Sequence, residues 1–152
     1  MKNKHLFVAL FVVLLATISN VKAQTGNGTS MAPIIGEAVD YINYIEDELR
    51  QEIVRIEFDI LQTTKSTTRT LSSGYRYGIV AFGDYRMADI DVKVYQKSGS
   101  SWVLKEYDTD SDKSAMVVVQ PSYTGEYKIE ISCYKFKNGY SAGHYGLIIF
   151  HE

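Results

Sequence analysis

Six aspartates crowd one stretch of the chain: Asp84, Asp89, Asp91, Asp108, Asp110 and Asp112. Calcium takes about six to eight hard oxygen ligands, so clustered carboxylates and turn carbonyls suit it, and these six form the candidate metal set. Asp89 and Asp91 stand two apart, so a strand would place both on one face, where they repel unless solvated or bridged by a cation. Asp108-Thr109-Asp110-Ser111-Asp112 opens like an EF-hand loop. Lys113 stands where the sharp-turn glycine belongs and Val119 where the bidentate glutamate belongs, so it is not one. The competing role for all six is to cap turns and keep strands soluble.

A second constellation is aromatic. Tyr134, Phe136, Tyr140 and Tyr145 surround the loop Lys135-Phe136-Lys137-Asn138-Gly139-Tyr140, where rings beside polar donors suit sugar stacking or a protein contact. Their competing role is to cover one end of the domain. Trp102, the only tryptophan, follows a turn and reads as a core or rim residue rather than a sugar platform. Catalytic chemistry has little support. His144 and His151 both lie near the C-terminus, no nucleophile-elbow or cysteine-protease signature is present, and one cysteine with these histidines makes no zinc set.

These residues need elements to position them. Ile35, Val39, Ile42, Leu49, Ile53 and Ile56 recur at helical steps after Pro33, which predicts a helix over residues 34–52. Val54, Ile56, Phe58 and Ile60 then alternate with polar neighbours, and the period of two recurs to residue 150 between turns rich in Gly, Ser and Asp. About eight short strands with no helix between them predict an antiparallel β-sandwich, jelly-roll-like, behind one N-terminal α-helix. Tyr127, just after Gly125-Glu126, reads as a corner whose phenol bonds back to nearby backbone. Cys133 alternates with Ile129 and Ile131, which predicts a buried, unreactive thiol.

The N-terminus sets the compartment. Lys2 and Lys4 precede an apolar run from Leu6 to Ile18, then Val21-Lys22-Ala23, the pattern of a signal peptide over residues 1–23. That run is shorter than the roughly 20 residues of a spanning helix, so no stable membrane anchor is expected after cleavage. Residues 24–33 read as a flexible leader, and residues 34–152 as a single domain. Losing Lys2, Lys4 and Lys22 takes the formal charge from −2 to −5 and leaves no basic stripe for nucleic acid. A single cysteine allows no internal disulfide, so the hydrophobic core must hold the fold.

Three stretches carry a family likeness. Tyr75–Tyr95, Asp108–Pro121 and Thr124–Ser132 resemble the acidic turn with its D-x-D strand, the acidic hairpin, and the T-G-x-Y-x-I-x-I strand of bacterial pre-peptidase C-terminal domains. The chain is also similar to secreted proteins built on that plan with a helix in front. The resemblance implies a jelly-roll-like sandwich in a non-catalytic accessory role, and calcium binding in some relatives. The sequence therefore points to an exported binding or accessory module for an extracellular protein or carbohydrate. The alternatives are a calcium-stabilised structural or self-associating domain and, more distantly, a hydrolase.

Overall fold

The structure, a computed structural model, describes residues 31–152. The expected signal peptide and leader residues 24–30 lie outside the described residues. Helix α1 (Met31–Asn43) runs into a π-helical turn (Tyr44–Glu48), and strands follow: β1 (Glu52–Leu61), β2 (Thr64–Leu71), β3 (Tyr77–Gly83), β4 (Met87–Ser98), β5 (Ser101–Asp108), β6 (Ser114–Val119), β7 (Gly125–Phe136) and β8 (Gly143–His151). No helix among the described residues is long and apolar enough to cross a membrane.

The helix stops short of the expected residue 52. In the π turn the Leu49 amide donates to Tyr44 O, five residues back, at 3.0 Å. Arg50 then takes a left-handed backbone angle, φ 56°, and β1 begins two residues later. Ile53 and Ile56 fit both periods, and here the β-branched residues go to the strand, where they are best accommodated.

The strands form two four-stranded antiparallel sheets, in the orders β1-β8-β3-β6 and β2-β7-β4-β5. Chain order crosses repeatedly from one sheet to the other, which is the winding of a jelly roll. Between the sheets lies the main core, including Ile79, Ala81, Val92, Val94, Ile129, Ile131, Leu147 and Ile149.

A second apolar cluster lies on the outer side of the first sheet. Ile34, Ala38 and Ile45 pack there on Val80, Phe82, Ile148 and Phe150. Central strands β3 and β8 are thus buried on both faces, which explains their unbroken apolar runs. Glycines make this possible. Gly78 pairs with Phe150, and Gly146 with Phe82. A Cβ at Gly78 would lie 2.1 Å from Phe150 Cζ, and one at Gly146 would lie 2.3 Å from Phe82 Cζ. Each phenylalanine ring therefore lies across the glycine facing it.

Free edges are blunted by charge. Between β1 and β2, Glu57 pairs with Arg55 and Arg69, and Asp59 with Lys65. On β6 the Met116 amide donates to Asp108 Oδ2 at 2.9 Å. Such contacts discourage strand addition from another chain.

The phenol that ties a turn to backbone is not Tyr127 but Tyr77, whose oxygen accepts from Ser72 N at 3.1 Å. Tyr127 is buried in the main core. Cys133 is half-buried rather than fully buried, because β7 leaves regular register beside a bulge in β4. Burial pushes its thiol up to about 11, so it stays protonated near neutral pH.

Candidate functional site

The six aspartates do not converge. Asp84, in the β3–β4 turn, is a buried clamp with a fully covered side chain. Its Oδ1 accepts from Arg86 N at 2.9 Å, and its Oδ2 accepts from Arg86 Nη2 at 2.5 Å and His144 N at 2.8 Å. Burial alone would raise the Asp84 carboxyl, but these donors outweigh it and hold the pKa below the usual carboxylate value. Arg86 Nη2 also lies 2.5 Å from His144 Nδ1. A guanidinium can only donate, so His144 Nδ1 is the acceptor in this contact. This group fastens the β3–β4 turn to the start of β8.

Asp89 and Asp91 do not follow simple alternation. Register shifts on both sides of Asp89 put a bulge in β4, and Asp89 is only 5% exposed. Its Oδ2 accepts from Ser111 Oγ at 3.1 Å, while Oδ1 is buried with no partner. Asp91 has a raised pKa, from burial first and then from the charge of Asp89. Asp108 accepts backbone bonds from Asp110 and Met116, and Asp112 from Lys113, so these carboxylates shape the hairpin. Among the described residues, no three His, Cys, Asp or Glu side chains form a group that could hold a metal ion.

The aromatic set divides as well. Tyr145 is 4% exposed within the main core, and Phe136 packs against that core, so both support the fold. Tyr140 is exposed and meets Tyr85 edge-on with ring centroids 5.9 Å apart. Tyr134, 79% exposed, is left unpaired in β7 between Cys133 and Lys135, so alternation does not assign it to the outer side of the second sheet.

That outer side is the feature sequence reasoning missed. It carries no helix among the described residues. Val92, Val94, Ile129 and Ile131 face the core, so the residues alternating with them face out. Lys93 pairs with Glu130 and with Tyr107, Tyr95 pairs with Lys128 and with Leu104, and Lys97 pairs with Trp102. Lys128 Nζ sits 4.2 Å from the centre of the Tyr95 ring and 5.9 Å from that of Trp102. Glu130 binds both the Tyr95 hydroxyl and Lys128 Nζ at 3.3 Å. Burial, followed by the charge of Glu130, raises the Tyr95 pKa, so the phenol stays a donor. Trp102 is thus a half-buried face residue, not a core one. Tyr107 is 63% exposed.

A separate apolar hollow of about 260 Å³ opens on the other side, between the π turn and β6. Tyr41, Tyr44, Met116 and Phe150 are among its walls. Phe150 joins it to the helix-side cluster.

Among the described residues the arrangement is a helix-backed jelly-roll sandwich with one covered and one bare sheet. No family model matches this chain, and no curated sequence matches it. Its fold is similar to the pre-peptidase C-terminal domain of a collagenase from Bacillus anthracis, at 15% identity and TM-score 0.47, over 62% of this chain and 87% of that one. It is also similar to the Yersinia pseudotuberculosis-derived mitogen, at 13% identity and TM-score 0.48, over 65% and 85%. A third similar structure is a periplasmic inhibitor of g-type lysozyme from Aeromonas hydrophila, at 12% identity and TM-score 0.43, over 64% and 85%. These likenesses concern the fold.

Proposed function

We propose that the protein is an exported, non-catalytic binding module that seats an extracellular ligand on the outer face of β2-β7-β4-β5. One observation carries this reading. Among the described residues only one of the two sheets is covered, and the bare one displays Tyr95, Trp102 and Tyr107 among lysines and glutamates. Rings whose edges are solvated and whose neighbours are already ordered contribute contact area at low entropic cost. Export is supported by the charged start, the apolar run and the Val21-Lys22-Ala23 boundary.

The test compares two double variants on arrays of glycans and peptides. Any ligand held by the wild type should be lost by Tyr95→Ala/Trp102→Ala and kept by Tyr85→Ala/Tyr140→Ala. The opposite pattern would move the seat to the loop end.

Calcium is the second reading, favoured by the unpartnered Asp89 Oδ1 beside Asp91. With the carboxylates of Asp84, Asp108 and Asp112 engaged by their own chain, thermal unfolding is expected to be the same in chelator and in millimolar calcium. A calcium-dependent gain abolished by Asp89→Asn would establish the second reading instead, since a bound ion stabilises by mass action.

A further inference from the structure

We propose that the bare sheet binds a neutral polysaccharide chain, an inference that rests on its outer face being the ligand seat. The argument begins with charge. Along the regular parts of β4 and β7, Lys93, Lys97 and Lys128 share this face with Asp91, Glu126 and Glu130, three charges of each sign. Lys97 pairs with Glu126, and Lys128 with Glu130. A face balanced in this way offers no field to draw in a polyanion or a polycation.

The same pairs disfavour a protein partner. A protein would have to strip water from them, which costs several kcal/mol per buried ion before any attraction is regained. Centres of protein interfaces are accordingly poor in lysine and glutamate. Here lysines and glutamates lie between the rings and interrupt any apolar centre.

A sugar chain meets neither obstacle. Its hydroxyls donate to the Glu130 carboxylate and accept from the Lys128 ammonium, so those charges stay hydrogen-bonded when water leaves. Its C–H faces pack on the rings of Tyr95 and Trp102, which Lys128 already holds in place. Rings also recur along the face. Trp102 lies level with Lys97, Tyr95 two residues nearer the β4 start, and Tyr107 level with Lys93, giving steps of about 7 Å along the strands. Contacts spaced along an open face suit the interior of an extended polymer rather than a single chain end.

The experiment runs the full protein in native gels containing xylan, mixed-linkage β-glucan, mannan or polygalacturonate, and titrates it with the same polymers while following fluorescence. Trp102 is the only tryptophan, so its emission reports on this face alone. At least one neutral polymer should retard the protein and shift that emission, and polygalacturonate should do neither. Glu130→Gln should weaken binding about tenfold, the loss of one charge-assisted hydrogen bond, with its melting temperature unchanged. Retardation by none of the neutral polymers, or by polygalacturonate alone, would overturn the proposal. A peptide ligand that requires Trp102 would overturn the polysaccharide and leave the seat standing. A neutral polymer that binds Trp102→Ala as well as wild type would overturn the seat.

Discussion

Gly78→Ala is expected to destabilise the protein by about 3 kcal/mol or more, lowering its melting temperature by roughly 10 °C. The added Cβ would sit 2.1 Å from Phe150 Cζ, with other atoms of the ring scarcely farther away. The open space nearest the ring is the hollow beside β6, and turning into it would take the ring off Ile34, Ala38 and Ile45, the helix-side cluster it packs with. Relief would require Phe150 to leave its place and the helix to lift from the sheet. Gly146→Ala should behave alike, since its Cβ would meet the Phe82 ring. Gly36 is the control, because it lies in α1 and a methyl added there would meet nothing within 4 Å. Gly36→Ala should stabilise by up to about 1 kcal/mol through helix propensity. Equal melting of wild type and Gly78→Ala in a denaturant series would contradict the reciprocal glycine–phenylalanine packing.

Asp84→Asn should cost about 3 kcal/mol near neutral pH, because it leaves the Arg86 guanidinium without its counter-charge and turns an acceptor into a donor. Its sign with pH is definite. Burial works to raise the Asp84 carboxyl, but Arg86 and the His144 and Arg86 amides lower it below the ordinary 3.8. A depressed pKa contributes stability above the unfolded value, and that stability is lost as pH falls through the folded value. Wild type and variant should therefore differ most above about pH 5 and converge in stronger acid. Glu57 is likewise lowered, burial being outweighed by Arg55 and Arg69, and it is present in both proteins. Wild type will thus still weaken in acid, and the informative quantity is the difference between the two curves. A constant difference from about pH 7 to about pH 3 would contradict an ionised Asp84 clamp.

The strands were legible because period-two alternation and turn chemistry are local. Tyr127, Ile129 and Ile131 point inward as their spacing requires, and the acidic hairpin at Asp108–Asp112 is a turn. What failed depended on contacts remote in sequence. Ile56 was read as strand from its β-branched surroundings and is one, paired with β8, whereas the helix expected to residue 52 ends at Glu48. Asp89 was expected to share one strand face with Asp91, but a bulge broke the alternation on both sides of it. Tyr134 and Tyr145 belong to one aromatic run in sequence and to opposite environments in space, one in solvent and one in the core. The proposed seat was the least legible part. Tyr95, Trp102 and Lys128 come from β4, β5 and β7, and meet only through register that no local pattern specifies.

The bare sheet as ligand seat is tested most directly by mapping backbone amide and indole NMR shifts while titrating the ligand best retained on the arrays. The account predicts the largest changes at the Trp102 indole and the amides of Tyr95, Lys128 and Glu130, with little movement on the helix side. Changes concentrated at Tyr41, Tyr44 and Met116, around the hollow beside β6, would contradict it.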